Sequence, residues 1–230
     1  MSISSSRSRS RLWRSLVVAV IIVLVPVLLV LGSIRLLLTE TYLNLEYNKP
    51  DFPADTYGFT LQDRLYFAPY AVQYLLNGAE VSYIGDLKFS DGSPLYNDRE
   101  LEHMVDVKKV IQGAMWALLG AALVFTLLSV WLFRSPEGRL VWRNGLIGGA
   151  TTLLIAFVGL IIYLLLDWDN FFDSFHNLFF AQGTWTFSYS DTLIRLFPIR
   201  FWQDAAITVG LVSAISAILI LIAAWRWRVK

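Results

Sequence analysis

Residues 144–166 read NGLIGGATTLLIAFVGLIIYLLL, twenty-three consecutive positions without a charge. At about 1.5 Å of rise per residue, a helix of this length covers the roughly 30 Å hydrocarbon core of a bilayer. Three further runs, 15–34, 110–133 and 205–225, also lack Asp, Glu, Lys, Arg and His. Across all 230 residues 56% are apolar and 16% charged, with a mean hydropathy of +0.55, whereas charged residues make up about a quarter of a soluble domain. The pattern predicts an all-α membrane protein, a four-helix transmembrane bundle with a small extracytoplasmic cap. The first run is longer than the ~7–15 residues of a signal core, and Leu31-Gly32-Ser33-Ile34-Arg35 lacks a small-x-small cleavage site. It reads as a retained helix, bent at Pro26, behind a short Ser/Arg-rich tail. The absence of cysteine excludes a disulfide scaffold and a thiol nucleophile. A net charge of +1 excludes a bulk electrostatic grip on nucleic acid. No charge falls mid-span, which argues against a proton relay or ion path.

Charge asymmetry sets the expected orientation. Arg7, Arg9, Arg11 and Arg14 precede the first span, three Arg and only Glu137 occupy 134–143, and Arg226, Arg228 and Lys230 end the chain. The other connections hold nine basic residues and seventeen acids. The chain therefore divides into a cytoplasmic tail 1–14, span 15–34, extracytoplasmic cap 35–109, span 110–133, cytoplasmic loop 134–143, span 144–166, extracytoplasmic interfacial segment 167–204, span 205–225 and cytoplasmic tail 226–230. Small residues four apart, Gly113/Ala117/Ala121 and Gly210/Ala214, predict close helix approach on the second and fourth spans. Gly145, Gly148, Gly149 and Gly159 are expected to loosen the third.

The cap, about 75 residues, is thin for a free-standing core. Residues 42–47 are short and mixed, 49–53 form a rigid Pro-containing loop, and 64–76 have helical apolar spacing, broken or begun near Pro69. Residues 81–89 read as a short strand or an extended strap, followed by a Ser90-Asp91-Gly92-Ser93-Pro94 turn. Asn97 or Asp98 caps a helix running through Glu100, His103 and Asp106 into the second span. In DWDNFFDSFHNLFFAQGT (167–184), Trp168, Phe171, Phe172, Phe175 and Phe179 share one helical face. Asp169, Asp173 and His176 line its flank, the pattern of an interfacial helix that Gly183 would end. Asp191 caps a short helix at 192–197, and Pro198 leads to the fourth span.

The chain has two histidines, His103 and His176, each three residues after an acid in Glu100-x-x-His103 and Asp173-x-x-His176. Asp106 follows His103 by the same spacing. An acid one helical turn away fixes a histidine tautomer and raises its basicity, as a general base requires. The same spacing also suits plain capping and surface charge. Two His with two carboxylates are a conceivable zinc or manganese set, though the spacing is weaker than HExxH. No Gly-x-Ser-x-Gly elbow or Gly-rich phosphate loop is present, and Ser174 lies nearly opposite His176 on a helix. A double-displacement hydrolase thus lacks its nucleophile.

The run FFDSFHNLFFAQGTWTFSYSDTLIRLFP (171–198) followed by IRFWQD resembles the hallmark of the bacterial lipoprotein intramolecular transacylase (Lit) family of integral membrane proteins. YGFT (57–60), the later Asp63-Arg64 and NDRELEHMVDVKKV (97–110) are similar to it too, as is the four-span layout. The resemblance implies a membrane acyltransferase acting on lipoproteins whose N-terminal cysteine carries a diacylglyceryl thioether. It would move the sn-2 acyl chain to the cysteine's α-amino group, giving the lyso-form, with His176 and His103 as the catalytic pair.

Such chemistry suits histidine. An α-amino group with a pKa near ~8 must lose a proton before attacking an ester, and the leaving glyceryl oxygen must gain one. Asp173, Asp106 and Glu100 are then supporting groups, and Arg64 a candidate oxyanion or substrate contact. No metal and no cofactor are expected. The partners are diacylglyceryl lipoproteins and membrane lipid, not nucleic acid. Two other classes compete: a metal-dependent membrane lipid hydrolase, which would need bound metal, and a non-catalytic assembly or sensor protein, in which both histidines would tolerate substitution.

Overall fold

The computed structural model describes the backbone of residues 3–227 and the side chains of residues 12–227. Arg228, Lys230 and the side chains of Arg7, Arg9 and Arg11, which enter the charge count, lie outside the described residues. The helices are α1 (Ile3–Leu37), α2 (Glu40–Tyr47), α3 (Leu61–Leu76), α4 (Ser82–Gly85), α5 (Asp98–Leu132), α6 (Pro136–Leu166), α7 (Trp168–Phe179), α8 (Thr192–Leu196) and α9 (Ile199–Arg226). The protein is all-α, and α1, α5, α6 and α9 are long and apolar enough to cross a membrane, as the charge-free runs predict. The Ser/Arg-rich segment ahead of the first run is part of α1 and not a separate tail. Extending an existing helix is far easier than nucleating one, and Arg is a good helix former.

Two compact units divide the chain. One takes the residues up to Ser33, Trp116–Leu165 and those from Gly210 on; the other takes Ile34–Met115 and Leu166–Val209. In the first unit the glycines that meet another helix closely are on α6. A Cβ added to Gly145 would lie 2.6 Å from Ile21 Cβ, and one on Gly149 would lie 2.7 Å from Val25 Cβ. Gly113 and Gly210, by contrast, have nothing within 4 Å of such a Cβ. These α6 glycines therefore tighten the bundle. α1 continues unbroken through Pro26. Proline has no N–H, so the usual i→i−4 bond to Ile22 O is missing at Pro26. That carbonyl is 3.1 Å from the position a Gly149 Cβ would take. Buried Ser33 Oγ pairs with Ser213 Oγ at 2.9 Å, and Arg143 Nε donates to Ala224 O at 2.7 Å, tying α1 and α6 to α9.

The second unit is built from capped helices. Thr60 and Asp63 form a reciprocal capping box on α3, which runs intact through Pro69 from Leu61. Residues 42–47 lie in α2, capped by Thr39. Leu43, Ala68, Ala71, Ile84, Leu95 and Leu196 form the centre of its apolar core. Residues 81–89 make a helical turn, α4, and then a single antiparallel bridge from Lys88 to Pro94; no strand occurs among the described residues. Phe89 N–H bonds Ser93 O and Leu95 N–H bonds Leu87 O, both at 2.9 Å, around Gly92 at φ +86°. Pro94 lacks the N–H that would carry the ladder further. α7 ends at Phe179, earlier than Gly183, with Phe180 already extended.

The glycine contacts yield a paired prediction. Gly145→Leu should destabilise the detergent-solubilised protein by about 1–3 kcal/mol through overpacking, read as a lower midpoint of thermal unfolding. Gly113→Ala should be neutral or slightly stabilising, since its Cβ meets open space. Equal midpoints for both variants would contradict the assigned interface.

Candidate active site

Both histidines belong to the second unit and occupy one aromatic niche. His103 is in the second turn of α5, ahead of its uncharged part, and is 9% exposed. Its ring lies against Phe180 and Phe187, with centroids 5.0 and 5.3 Å away. His176, on α7, lies 4.0 Å from Phe172, 4.8 Å from Trp185 and 5.9 Å from Phe180. Phe180 thus touches both imidazoles. The α7 face forms a ladder of rings, Trp168–Phe171 at 5.9 Å, Phe171–Phe175 at 6.2 Å and Phe175–Phe179 at 5.1 Å.

His176 Nδ1 is 2.7 Å from Phe172 O, one turn back on the same helix. A carbonyl oxygen only accepts, so Nδ1 donates and Nε2 of the neutral ring carries the lone pair. Burial lowers the His176 pKa, opposed by the Phe172 carbonyl and the Asp173 charge. Burial also lowers His103, to about 4, with repulsion from His176 adding to it and Asp106 opposing it. At neutral pH both rings are therefore neutral, and protonating one disfavours protonating the other. His103 Nδ1 is buried without a hydrogen-bond partner among the described residues, as is Trp185 Nε1.

The supporting residues separate. Asp173 and Asp106 act on the histidines through charge; Asp106 also pairs with Lys109 at 2.8 Å. Glu100 does not reach out to His103 with a hydrogen bond. Its Oε2 accepts Asn97 N–H at 2.8 Å and its Oε1 accepts Leu193 N–H at 2.7 Å, so it caps α5 and holds the start of α8. Arg64 is buried, donating to Pro53 O at 2.7 Å and Arg195 O at 3.0 Å, with its guanidinium 5.2 Å from the Phe52 ring. It clasps three segments of the unit. Among the described residues no three His, Cys, Asp or Glu side chains are grouped to hold a metal ion.

The sequence profile of the lipoprotein intramolecular transacylase Lit matches residues 18–202, most of the chain and both histidines. The chain belongs to the Lit family. An uncharacterized protein of Aquifex aeolicus (strain VF5) is 28% identical over 208 residues, 90% of this chain and 93% of its own. The in meso structure of Lit from Bacillus cereus superposes with a TM-score of 0.76 at 18% identity, over 93% of this chain and 94% of that one. A variant of it with one histidine replaced by arginine gives 0.71 at 15% identity, over 97% and 96%. At these identities the likeness is one of fold. The Lit fold in this chain encloses its histidines with Phe172, Phe180, Trp185 and Phe187, and the last three lie beyond the helical periodicity of α7. Their only sequence signal is the density of rings after position 179.

These environments predict two separate titrations. NMR of ring-labelled protein should show His103 protonating near pH 4 and His176 below the ordinary 6.5. Because both folded-state values are depressed, stability should be full above pH 6.5 and fall as pH drops through them. Asp173→Asn should lower the His176 value further. A His103 value at or above 6.5 would contradict the buried niche.

Proposed function

We propose that this member of the Lit family transfers the sn-2 acyl chain of a diacylglyceryl-modified lipoprotein to the α-amino group of its N-terminal cysteine. The observation carrying the mechanism is the His176 Nδ1–Phe172 O bond, which leaves Nε2 as a base beside the aromatic rings of the niche. Nε2 takes a proton as the amine nitrogen attacks the ester carbonyl. A C–N bond forms, and the tetrahedral intermediate collapses by breaking the bond to the glyceryl oxygen. That oxygen takes the proton back from the histidine pair, so acid and base balance over one turnover. His103 is the second group of the pair, kept neutral first by burial and further by repulsion from His176. Amine and ester belong to one molecule, and effective molarities for well-oriented intramolecular reactions reach ~10⁵ M or more. Positioning then replaces the Ser or Cys nucleophile this chain does not offer. Asp173 and Asp106 tune the rings.

The test is mass spectrometry of lipoprotein N-terminal peptides from cells making each variant. His103→Ala and His176→Ala should each lower lyso-lipoprotein formation by about 10²–10⁴ while the protein stays folded and in the membrane. Asp173→Asn and Asp106→Asn should lose less. Wild-type product from His176→Ala would refute the mechanism.

The charge asymmetry supports placing both termini in the cytoplasm and residues 35–109 and 167–204, with the histidines, at the outer membrane surface. The chain has no cysteine, so single-cysteine variants report cleanly. Gly92→Cys and Gln182→Cys should react with an impermeant maleimide on intact cells, and Glu137→Cys only after lysis. Protection of Gly92→Cys would overturn this topology.

A further inference from the structure

Acyl transfer by this route passes through a tetrahedral carbon bearing a negatively charged oxygen, and a donor must meet that charge. His176 Nδ1 is held by Phe172 O and its Nε2 is the base, while Arg64 gives its Nε–H to Arg195 O and one Nη1–H to Pro53 O. The structure assigns the task to Trp185: we infer that its indole Nε1–H receives the oxyanion of the transferring acyl group, which makes Trp185 a catalytic residue. The assignment rests on the acyl-transfer reading and adds a group to it.

Three observations converge on this side chain. Trp185 Nε1 is buried and has no acceptor among the described residues. A buried N–H left unpaired costs about 1–3 kcal/mol, and buried indoles ordinarily find a partner. An incoming carbonyl oxygen relieves that cost, and an oxyanion relieves it more. Next, the indole lies along the base, its ring 4.8 Å from the His176 ring and tilted by 32°. The indole that carries this donor is therefore in ring contact with His176, the base of the proposed reaction. Finally, the ring is fixed before any substrate arrives. Phe172 packs on it edge-on, with centroids 6.2 Å apart. The next residues are pinned as well, Thr186 O accepting from Arg99 and Phe187 lying against His103. A preset donor needs no reorganisation when charge develops. Trp168 Nε1 and Tyr96 Oη are also buried and unpartnered, but among the described residues neither ring contacts a histidine. Trp168 packs on Phe171 and Phe172.

In the step itself the amine nitrogen bonds the carbonyl carbon and the π pair moves onto oxygen. Nε1–H then hydrogen-bonds that oxygen without giving up its proton. When the glyceryl C–O bond breaks, the pair returns and the hydrogen bond weakens. The contact is stronger in the transition state than in the ground state, so its loss should appear in kcat and not in KM.

Full-length protein in detergent, a synthetic diacylglyceryl-cysteine peptide and mass-spectrometric product assay provide the test. Trp185→Phe keeps an aromatic wall and removes the N–H; kcat should fall about 10²–10³-fold with KM little changed. Replacing Trp185 by benzothienylalanine, which puts sulfur in place of the N–H at the same size, should give the same loss and decides the matter if the phenylalanine variant unfolds. A phosphonate peptide mimicking the tetrahedral carbon should bind wild type and lose affinity for either variant by a similar factor. Wild-type kcat from the benzothienylalanine protein overturns the assignment. His176→Ala, assayed alongside, separates the two claims. If it is inactive while the Trp185 variants are fully active, only the indole donor falls; if it is active, the acyl-transfer mechanism falls.

Discussion

The Glu100 carboxylate is 1% exposed, and both its oxygens accept backbone N–H groups, from Asn97 and from Leu193 ninety-three residues further on. One side chain thus closes the first turn of α5 and the first turn of α8 together. Burial pushes its pKa up, and the backbone N–H groups that bond it pull the other way. Replacing the carboxylate would leave buried donors unpaired, which is far costlier than never having built the contact. The niche depends on those two helix starts. His103 lies one turn beyond Glu100 on α5, and the segment from Phe180 to Asp191 is the chain that reaches α8 from α7. Thr192 Oγ1 on Leu95 O and Arg99 on Thr186 O hold the same strap. Phe180, Trp185 and Phe187 therefore stand where they do because the strap has fixed ends.

A small apolar core is supplemented throughout this unit by fixed cations. Arg195 pairs with Asp55 at 3.1 Å and lies 3.8 Å from the Phe59 ring centroid; Lys108 lies 3.9 Å from that of Tyr74. Lys49 joins Glu46 and Asp204, and Arg200 joins Asp204 to Asp51. Each of these groups links segments distant in sequence, as Arg64 does. Where too few apolar side chains are available to order long loops, charge-assisted hydrogen bonds to carbonyls and carboxylates supply the specificity.

What the sequence made legible follows from periodicity. Charge-free runs of helical length revealed the four spans, and the i, i+3, i+4 spacing of Trp168, Phe171, Phe172 and Phe175 revealed α7 and the flank carrying His176. Periodicity says which residues share a face, not what that face meets. Gly113 and Gly145 look equally small in sequence, and only the helix opposite decides that one faces open space and the other Ile21. Glu100-x-x-His103 reads as an acid orienting a base, but Asn97-x-x-Glu100 is also a capping pattern, and burial of the carboxylate favoured the backbone donors. Trp185 belongs to no period at all. Its place is set by the ends of a loop, which a one-dimensional pattern does not encode.

In the proposed acyl transfer, the aromatic enclosure would act on the base and on the nucleophile in the same direction. Removing water disfavours an imidazolium, which is why His103 falls to about 4 and His176 falls below its usual value. Taken alone, this weakens each ring as a base. An α-amino group, with a pKa of about 8 in water, is also a cation that loses hydration on entering a niche walled by Phe172, Phe180, Trp185 and Phe187. Its proton affinity must fall for the same reason, so the gap between donor and acceptor does not widen as the histidine is buried. The Phe172 carbonyl and Asp173 favour the protonated form of His176 and oppose the effect of its burial. Under that mechanism, the niche would favour a neutral amine beside a histidine still able to take its proton, the state from which attack on an ester begins.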